Sequence, residues 1–320
     1  MVDPGIKRRA GRQAGAVVMA LLWPTLLPQT ASAFDLMSFE FGSSSPFGMP
    51  GYQPGVVGRA VDTLPHLHPE GTPTFGAWSS TRWTHAVQRD ASVASDAIQE
   101  TIGADARVTD DVRLGVGVAA NTVGYSTLRS GGAIEKANEY DALGFAYGSC
   151  LLNDSVAVYG YLGHEEGVFS DRVAFRGEMV EGHVDTRDWY GALGLVGGIR
   201  RGPVSLTGSL QYEMDYITWS EPYRGGRNVT FPASEYGNGF NSIAANVRVD
   251  YQLPYVTPYF RIGAGGTSAD GVGASGGEAG AGLLWKAAHG FSMSAEGFRG
   301  QTGGNNRPTA GAQIDLHLQF

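Results

Sequence analysis

The chain has 320 residues, among them 48 glycines, 15 prolines and a single cysteine, and a formal net charge of −8. An acidic chain argues against nucleic acid as a partner, and one cysteine excludes an internal disulfide. Beyond the N-terminus no apolar run reaches the ~18 residues that mark a spanning helix, but a spanning strand needs only ~9–11 residues with one apolar face, so a membrane barrel stays open.

The first 33 residues read as a secretory signal peptide. Lys7, Arg8, Arg9 and Arg12 form a basic head, Ala14 to Leu27 an apolar core, and Ala31-Ser32-Ala33 a small-residue cleavage site. Removing residues 1–33, with four basic residues and one acidic, takes the net charge from −8 to −11. Residues 34–74 carry Pro46, Pro50, Pro54, Pro65, Pro69 and Pro73 among Gly and Ser, and no helical or strand period persists. This composition predicts a flexible segment, periplasmic or inserted in a pore. His66 and His68 lie there without other ligand residues nearby, so no metal site is expected.

From Phe75 onward the pattern has period two. In Val204 to Tyr216, Val204, Leu206, Leu210, Tyr212, Met214 and Tyr216 share one face, and Ser205, Thr207, Ser209, Gln211, Glu213 and Asp215 the other. Residues 243–253 and 310–320 repeat it. The segments are longer than the usual ~5–6 residues of a soluble strand. Aromatics sit near their ends: Tyr216, Trp219, Tyr251, Tyr255, Trp285, Phe291 and Phe320. Both features favour an apolar outside and a polar lumen. About twelve such segments are expected, at 75–86, 98–108, 112–123, 140–151, 155–164, 187–200, 203–218, 242–253, 256–265, 278–287, 290–299 and 309–320. The connections alternate short and long, with long ones at 87–97, 124–139, 165–186, 219–241, 266–277 and 300–308. The expectation is an all-β, transmembrane, antiparallel up-and-down barrel over residues 75–320, with both termini on the short-turn side. Cys150 falls in a strand and reads as a small apolar side chain.

The chain ends on Phe320 after an alternating strand with Leu316 and Leu318. This resembles the C-terminal signature of outer-membrane proteins, which implies recognition by the barrel-assembly machinery. The run from Thr101 to Ala119 has Gly103, Asp105, Asp110 and Gly115 at the positions of a glycine–aspartate pattern that crosses a tight turn, and it is similar to the early barrel of autotransporter β-domains. Tyr140 to Ser155 resembles the next hairpin. The resemblance implies the translocator half of type V secretion, twelve strands around a pore that carries a linker helix. The chain departs from that plan in two ways. Only ~40 residues separate the expected cleavage site from the first strand, too few for a folded passenger. A helix spanning a ~30 Å core needs ~20 residues, whereas the proline-free stretch Gly55 to Leu64 is short and holds Gly55 and Gly58, so no linker helix is expected.

No catalytic set is expected. No Ser lies in a nucleophile context near a His, and His183-Val-Asp185 reads as a solvated loop. Asp110-Asp111 suits a turn. The Gly-rich run from Gly263 lacks a strand-then-helix context, so no nucleotide cofactor is expected. By register the lumen-lining candidates are Arg113, Glu213, Asp215, Arg248, Asp250, Arg261, Lys286, Glu296, Asp315 and His317. Charges of both signs would brace a narrow lumen or line a water channel. The expected role is a translocator-type or structural barrel without a sizeable passenger, monomeric, surrounded by outer-membrane lipid. A small-solute channel and adhesin-like surface loops are the alternatives.

Overall fold

A strand leaves one row of backbone donors and acceptors open on each edge, and twelve strands in this protein close that account by forming a ring. The computed structural model describes residues 54–65, 67, 74–88, 93–127, 134–175, 178–219, 236–269, 272–287, 290–302 and 307–320. The expected signal peptide, the part of the flexible segment at 34–53, and His66, His68 and His289 lie outside these residues. The strands are β1 (Phe75–Gln88), β2 (Val93–Arg107), β3 (Val112–Thr127), β4 (Ile134–Asn153), β5 (Val156–Phe175), β6 (Glu178–Arg201), β7 (Val204–Trp219), β8 (Tyr236–Tyr251), β9 (Val256–Ala269), β10 (Val272–Lys286), β11 (Phe291–Thr302) and β12 (Arg307–Gln319). Each pairs antiparallel with the next, and β1 pairs with β12 from Gly76↔Gln319 to Ala86↔Thr309, so the barrel is closed. A short helix, α1 (Pro54–Val61), precedes the strands.

Tight turns and both ends of the barrel chain share one rim. Val108 and Thr109 donate their amides to the Val112 carbonyl, and Thr109 Oγ1 accepts from the amides of Asp111 (3.3 Å) and Val112 (3.1 Å). At the β6–β7 turn Gly202 has φ 59°, as a two-residue hairpin loop requires at its first position. Phe320 is pinned beside the start of β1. Its amide donates to the Phe75 carbonyl (3.0 Å), its own carbonyl accepts from Thr74 N (3.0 Å), and its ring lies 5.9 Å from that of Phe75.

The side-chain alternation has the inverted sense. On β7, Leu206, Leu210, Tyr212 and Met214 are exposed on the outside, while Ser205, Thr207, Gln211, Glu213 and Asp215 are buried within. Exposed aliphatics continue around the ring through Leu193, Leu195, Val247, Ile262, Leu283, Ile314 and Val116. Aromatics flank them: Phe75, Tyr251, Tyr255, Trp285 and Phe320 near the short-turn rim, and Trp83, Tyr140, Trp189 and Tyr216 towards the other. A continuous apolar exterior of this size has no place in water.

Two expectations are corrected. The stretch 165–186 and most of 266–277 are ladders rather than loops, because β5 and β6 stay paired from Val156↔Gly197 to Phe175↔Glu178, and β9 and β10 from Trp285↔Val256 to Val272↔Ala269. β6 has 24 residues, more than twice the ~9–11 that cross a membrane. Both β5 and β6 run on past the length a membrane needs, and there the sequence loses its period-two signal although the hydrogen bonds continue. Secondly, on β4 the large residues face inward. Leu143, Phe145 and Tyr147 are buried, and Ala142, Gly144, Ala146, Gly148 and Cys150 form the outer face.

The outward belt makes a testable claim. Leu193, 68 % exposed, should tolerate only apolar replacement. Leu193→Arg is expected to lower folding stability in lipid vesicles by about 2–4 kcal/mol if it lies at mid-belt, read from urea titrations. An unchanged midpoint would show that this face does not meet hydrocarbon.

Candidate functional site: the barrel lumen

The lumen is divided into a seal and two unlike walls. The seal is α1, which the sequence reading did not expect. Eight residues cannot cross the barrel, but they suffice to sit across its short-turn end. Val56, Ala60 and Leu64 are buried against Trp78, Phe145, Tyr147, Tyr159 and Val196, and Leu67 approaches Gly198. A weak helix former is held here by packing rather than by propensity. Strand glycines make room for the aromatics. A Cβ on Gly103 would fall 2.5 Å from the Trp78 ring, and one on Gly115 2.3 Å from that of Tyr147. These are two of the glycines that carry the sequence resemblance.

Arg59 supplies the polar anchor of the seal and is 1 % exposed. Its Nε and Nη2 donate to the two carboxylate oxygens of Asp105 at 2.6 and 2.8 Å, a bidentate pair. Asp105 also accepts from Arg113 and from the Tyr147 hydroxyl (2.8 Å), which in turn accepts from Trp78 Nε1 (2.6 Å). Arg59 Nη1 donates to Asp62 at 2.7 Å. Burial alone would lower the Arg59 pKa, but the Asp62 and Asp105 carboxylates hold it above its ordinary value. Two guanidiniums and two carboxylates thus balance in a dry place. Thr63 Oγ1 and Ser149 Oγ, 2.8 Å apart, tie the chain after the helix to β4. His317 Nδ1 stands 3.9 Å from Asp62.

One wall, formed by β8–β12 and β1, pairs each of its three guanidiniums with a carboxylate. Arg82 donates to Gln313 (2.9 Å) and Glu278 (2.9 Å) and lies 4.0 Å over the Phe298 ring. Arg261 pairs with Glu296 at 2.6 Å and with Glu278. Arg248 pairs with Asp250 (2.9 Å) and covers Tyr259 at 3.7 Å. Asp315 accepts from Ser294 and Gln313, each at 2.8 Å.

The other wall, formed by β4–β7, carries Asp141, Glu165, Asp188, Glu213 and Asp215 beside Tyr159, Tyr161 and Tyr190. Glu213, 1 % exposed, accepts from Tyr161 and from Gln211 Nε2 (3.1 Å). Asn121 donates to Asp141 at 3.1 Å.

Of the sequence candidates, the structure places Arg113 in the seal with His317 beside it, and Arg248, Asp250, Arg261, Glu296 and Asp315 on the paired wall. Glu213 and Asp215 lie on the acidic one. Lys286 ends β10 at the short-turn rim and is exposed, apart from the others. Sequence reasoning missed Arg59, Arg82, Asp105, Asp141, Glu165, Asp188 and Glu278 as lumen charges. Continued alternation through the charged stretches of β4–β6 would have found Asp141, Glu165 and Asp188. Nothing local marks Arg82, since both faces of β1 are mixed. Leu316, Leu318 and Phe320 share the outer face of the closing strand.

Solved structures have this architecture. The translocator domain of the autotransporter NalP from Neisseria meningitidis matches with a TM-score of 0.67 at 11 % identity, over 82 % of this chain and 95 % of that one. The β-domain of the Bordetella autotransporter BrkA matches with a TM-score of 0.62 at 14 % identity, over 77 % of this chain and 100 % of that one. No protein-family model and no curated protein matches the sequence. The chain has an autotransporter β-domain-like fold.

The seal predicts two opposite effects. Asp105→Ala leaves Arg59 and Arg113 buried without their shared carboxylate, and breaking a buried pair costs about 3–5 kcal/mol. In a Cys150→Ser background carrying Ala60→Cys, a thiol reagent should reach position 60 only when Asp105 is lost. Gly58→Ala should tighten the seal, because its added Cβ meets only His317 Cε1, at 4.0 Å. Replacing a mid-helix glycine gains about 0.5–1 kcal/mol. Amide exchange at Thr63 and Leu64 should slow accordingly.

Proposed function

We propose that this protein is an outer-membrane barrel of translocator type, exported through a cleaved signal peptide, whose own short N-terminal segment occupies the lumen in place of a passenger's linker. One observation carries the reading: α1 sits inside the barrel on a built seat, with Arg59 bidentate to Asp105, rather than beside it. The apolar exterior with its aromatic rims suits a bilayer, and the similar solved structures are named as autotransporter domains. On this reading the partners are outer-membrane lipid and, through Leu316, Leu318 and Phe320, the barrel-assembly machinery. The barrel works as a monomer and no catalytic role is assigned.

Fractionation and surface labelling test it. The protein should be recovered in the outer membrane and migrate as a heat-modifiable band. Recovery from the soluble periplasm would end the proposal. Tags at residue ~40 and between β7 and β8, within 220–235, should both be labelled on intact cells if the segment passes through the lumen. Labelling of the second tag alone would leave a barrel plugged from the periplasmic side.

The polar lumen also favours a second reading, a small-solute channel. Planar-bilayer conductance separates the two. A sealed translocator-type barrel should be nearly silent as the full chain and conduct once residues 34–64 are deleted. A working channel should conduct with the segment in place.

A further inference from the structure

The acidic wall is continuous. Glu165 on β5 directly opposes Asp188 on β6, Asp215 on β7 directly opposes Tyr190, and Asp141 on β4 opposes Gly167, two residues from Glu165. Glu213 follows on the same face. Opposed side chains on a sheet start about 4.5–5.5 Å apart and diagonal ones about 7–8 Å, so the five carboxylates form a stair over four neighbouring strands.

Among the described residues no Lys or Arg shares the lumen face of β4–β7 at the level of the stair. Arg200, on the lumen side of β6, is exposed at the short-turn end of its strand. Arg248 is engaged by Asp250 and Tyr259. Hydrogen bonds from Tyr161, Gln211 and Asn121 leave Glu213 Oε1 unpartnered in the interior, and Asp188 and Asp215 face each other there as a carboxyl pair.

A separate feature points the same way. Tyr190 is 1 % exposed, and its buried hydroxyl has no partner. The ring tip lies over Gly163, where a Cβ would fall 2.3 Å from the hydroxyl, between Tyr161 and Glu165 on β5. A hydroxyl that can donate or accept is thus aimed into the stair without a partner.

Buried carboxylates persist when protonated or when matched by a cation. We propose that the stair is a binding site for a linear polyamine, entered from the long-loop end. The shape of the site selects this class. Among the described residues no group of three ligating side chains converges as a metal would need. Three strand spacings instead stretch the stair over about 14 Å, which suits several ammonium groups in a row. Tyr161 and Tyr190 add ring faces that attract ammonium, and the free Tyr190 oxygen can accept one of its protons. α1 sits at the short-turn end against β1, β4, β5 and β6, so the ligand's path is drawn from the opposite rim. The paired wall, where Arg82 and Arg261 already neutralise Glu278 and Glu296, offers no such site. The site does not depend on the translocator reading, because it belongs to the closed, full-length barrel.

The competing account is proton sharing, foremost between Asp188 and Asp215, and titration of the folded full chain with spermidine at neutral pH and low ionic strength separates the two. Saturable binding is expected. The Glu213→Gln/Asp215→Asn pair should weaken it at least about tenfold, the loss of roughly 1.4 kcal/mol, whereas Asp315→Asn on the other wall should leave it within about twofold. Absence of saturable binding would overturn the proposal and leave protonated carboxyls as the account. So would equal weakening by the Asp315 variant, or displacement of spermidine by magnesium at matched concentration. Folding of each variant is checked by heat-modifiable migration. If the double variant does not fold, the single variants are read instead, together with the wild-type melting temperature. That temperature must rise with spermidine, and an unmoved one would equally overturn the site.

Discussion

Backbone hydrogen bonding in a place without water permits very few strand arrangements, and closure is the one used here. Each of the twelve strands finds both neighbours, and the seam between β1 and β12 is as continuous as any other. Closure divides every strand into an outward and an inward face. Once it holds, the identity of alternate residues decides everything else: which side meets hydrocarbon, which side is polar, and which polar groups must find each other across a confined interior. Phe320 matters in this frame because it ends the last strand against the first, where a frayed seam would expose an edge.

Confinement explains the seal. An eight-residue helix with an internal glycine has no stability of its own. Inside the ring it gains one face of packing on Trp78, Phe145 and Tyr159, and it places Arg59 where Asp105 already holds Arg113 and Tyr147. Without Arg59, Asp105 would still have two donors but α1 would lose its only bidentate tie. Without Asp105, two guanidiniums would face each other in a dry pocket. The specificity of the seat therefore rests on the carboxylate, and the apolar contacts supply most of the holding.

What the sequence revealed follows from which face carried contrast. On β7, β8 and β12 the outer residues are large and apolar and the inner ones polar, so register, strand count and the lumen positions of Glu213, Asp215 and Asp315 could be read directly. On β4 the contrast is reversed, because the lumen there is filled with aromatics that face α1. The alternation is present but points the wrong way for a reading based on hydropathy. On β5 and β6 the strands run longer than a membrane needs, the period-two contrast fades over 165–186, and a paired ladder looks like a loop. The helix was illegible for another reason. Its stabilising partners lie 46 residues away at Asp105 and 86 away at Ser149, and no local pattern reports them.

The two walls of the lumen pose the remaining physical question. On one, each guanidinium sits within reach of a carboxylate, and Arg82 and Arg248 also cover an aromatic ring, an arrangement that braces the barrel. On the other, carboxylates stand in a row with only neutral donors beside them. Bracing does not account for that row, because like charges on adjacent strands push the sheet apart, and Ser or Gln at the same positions would pack without repulsion. The row is intelligible if its charge is neutralised by something that comes and goes, whether proton or cation.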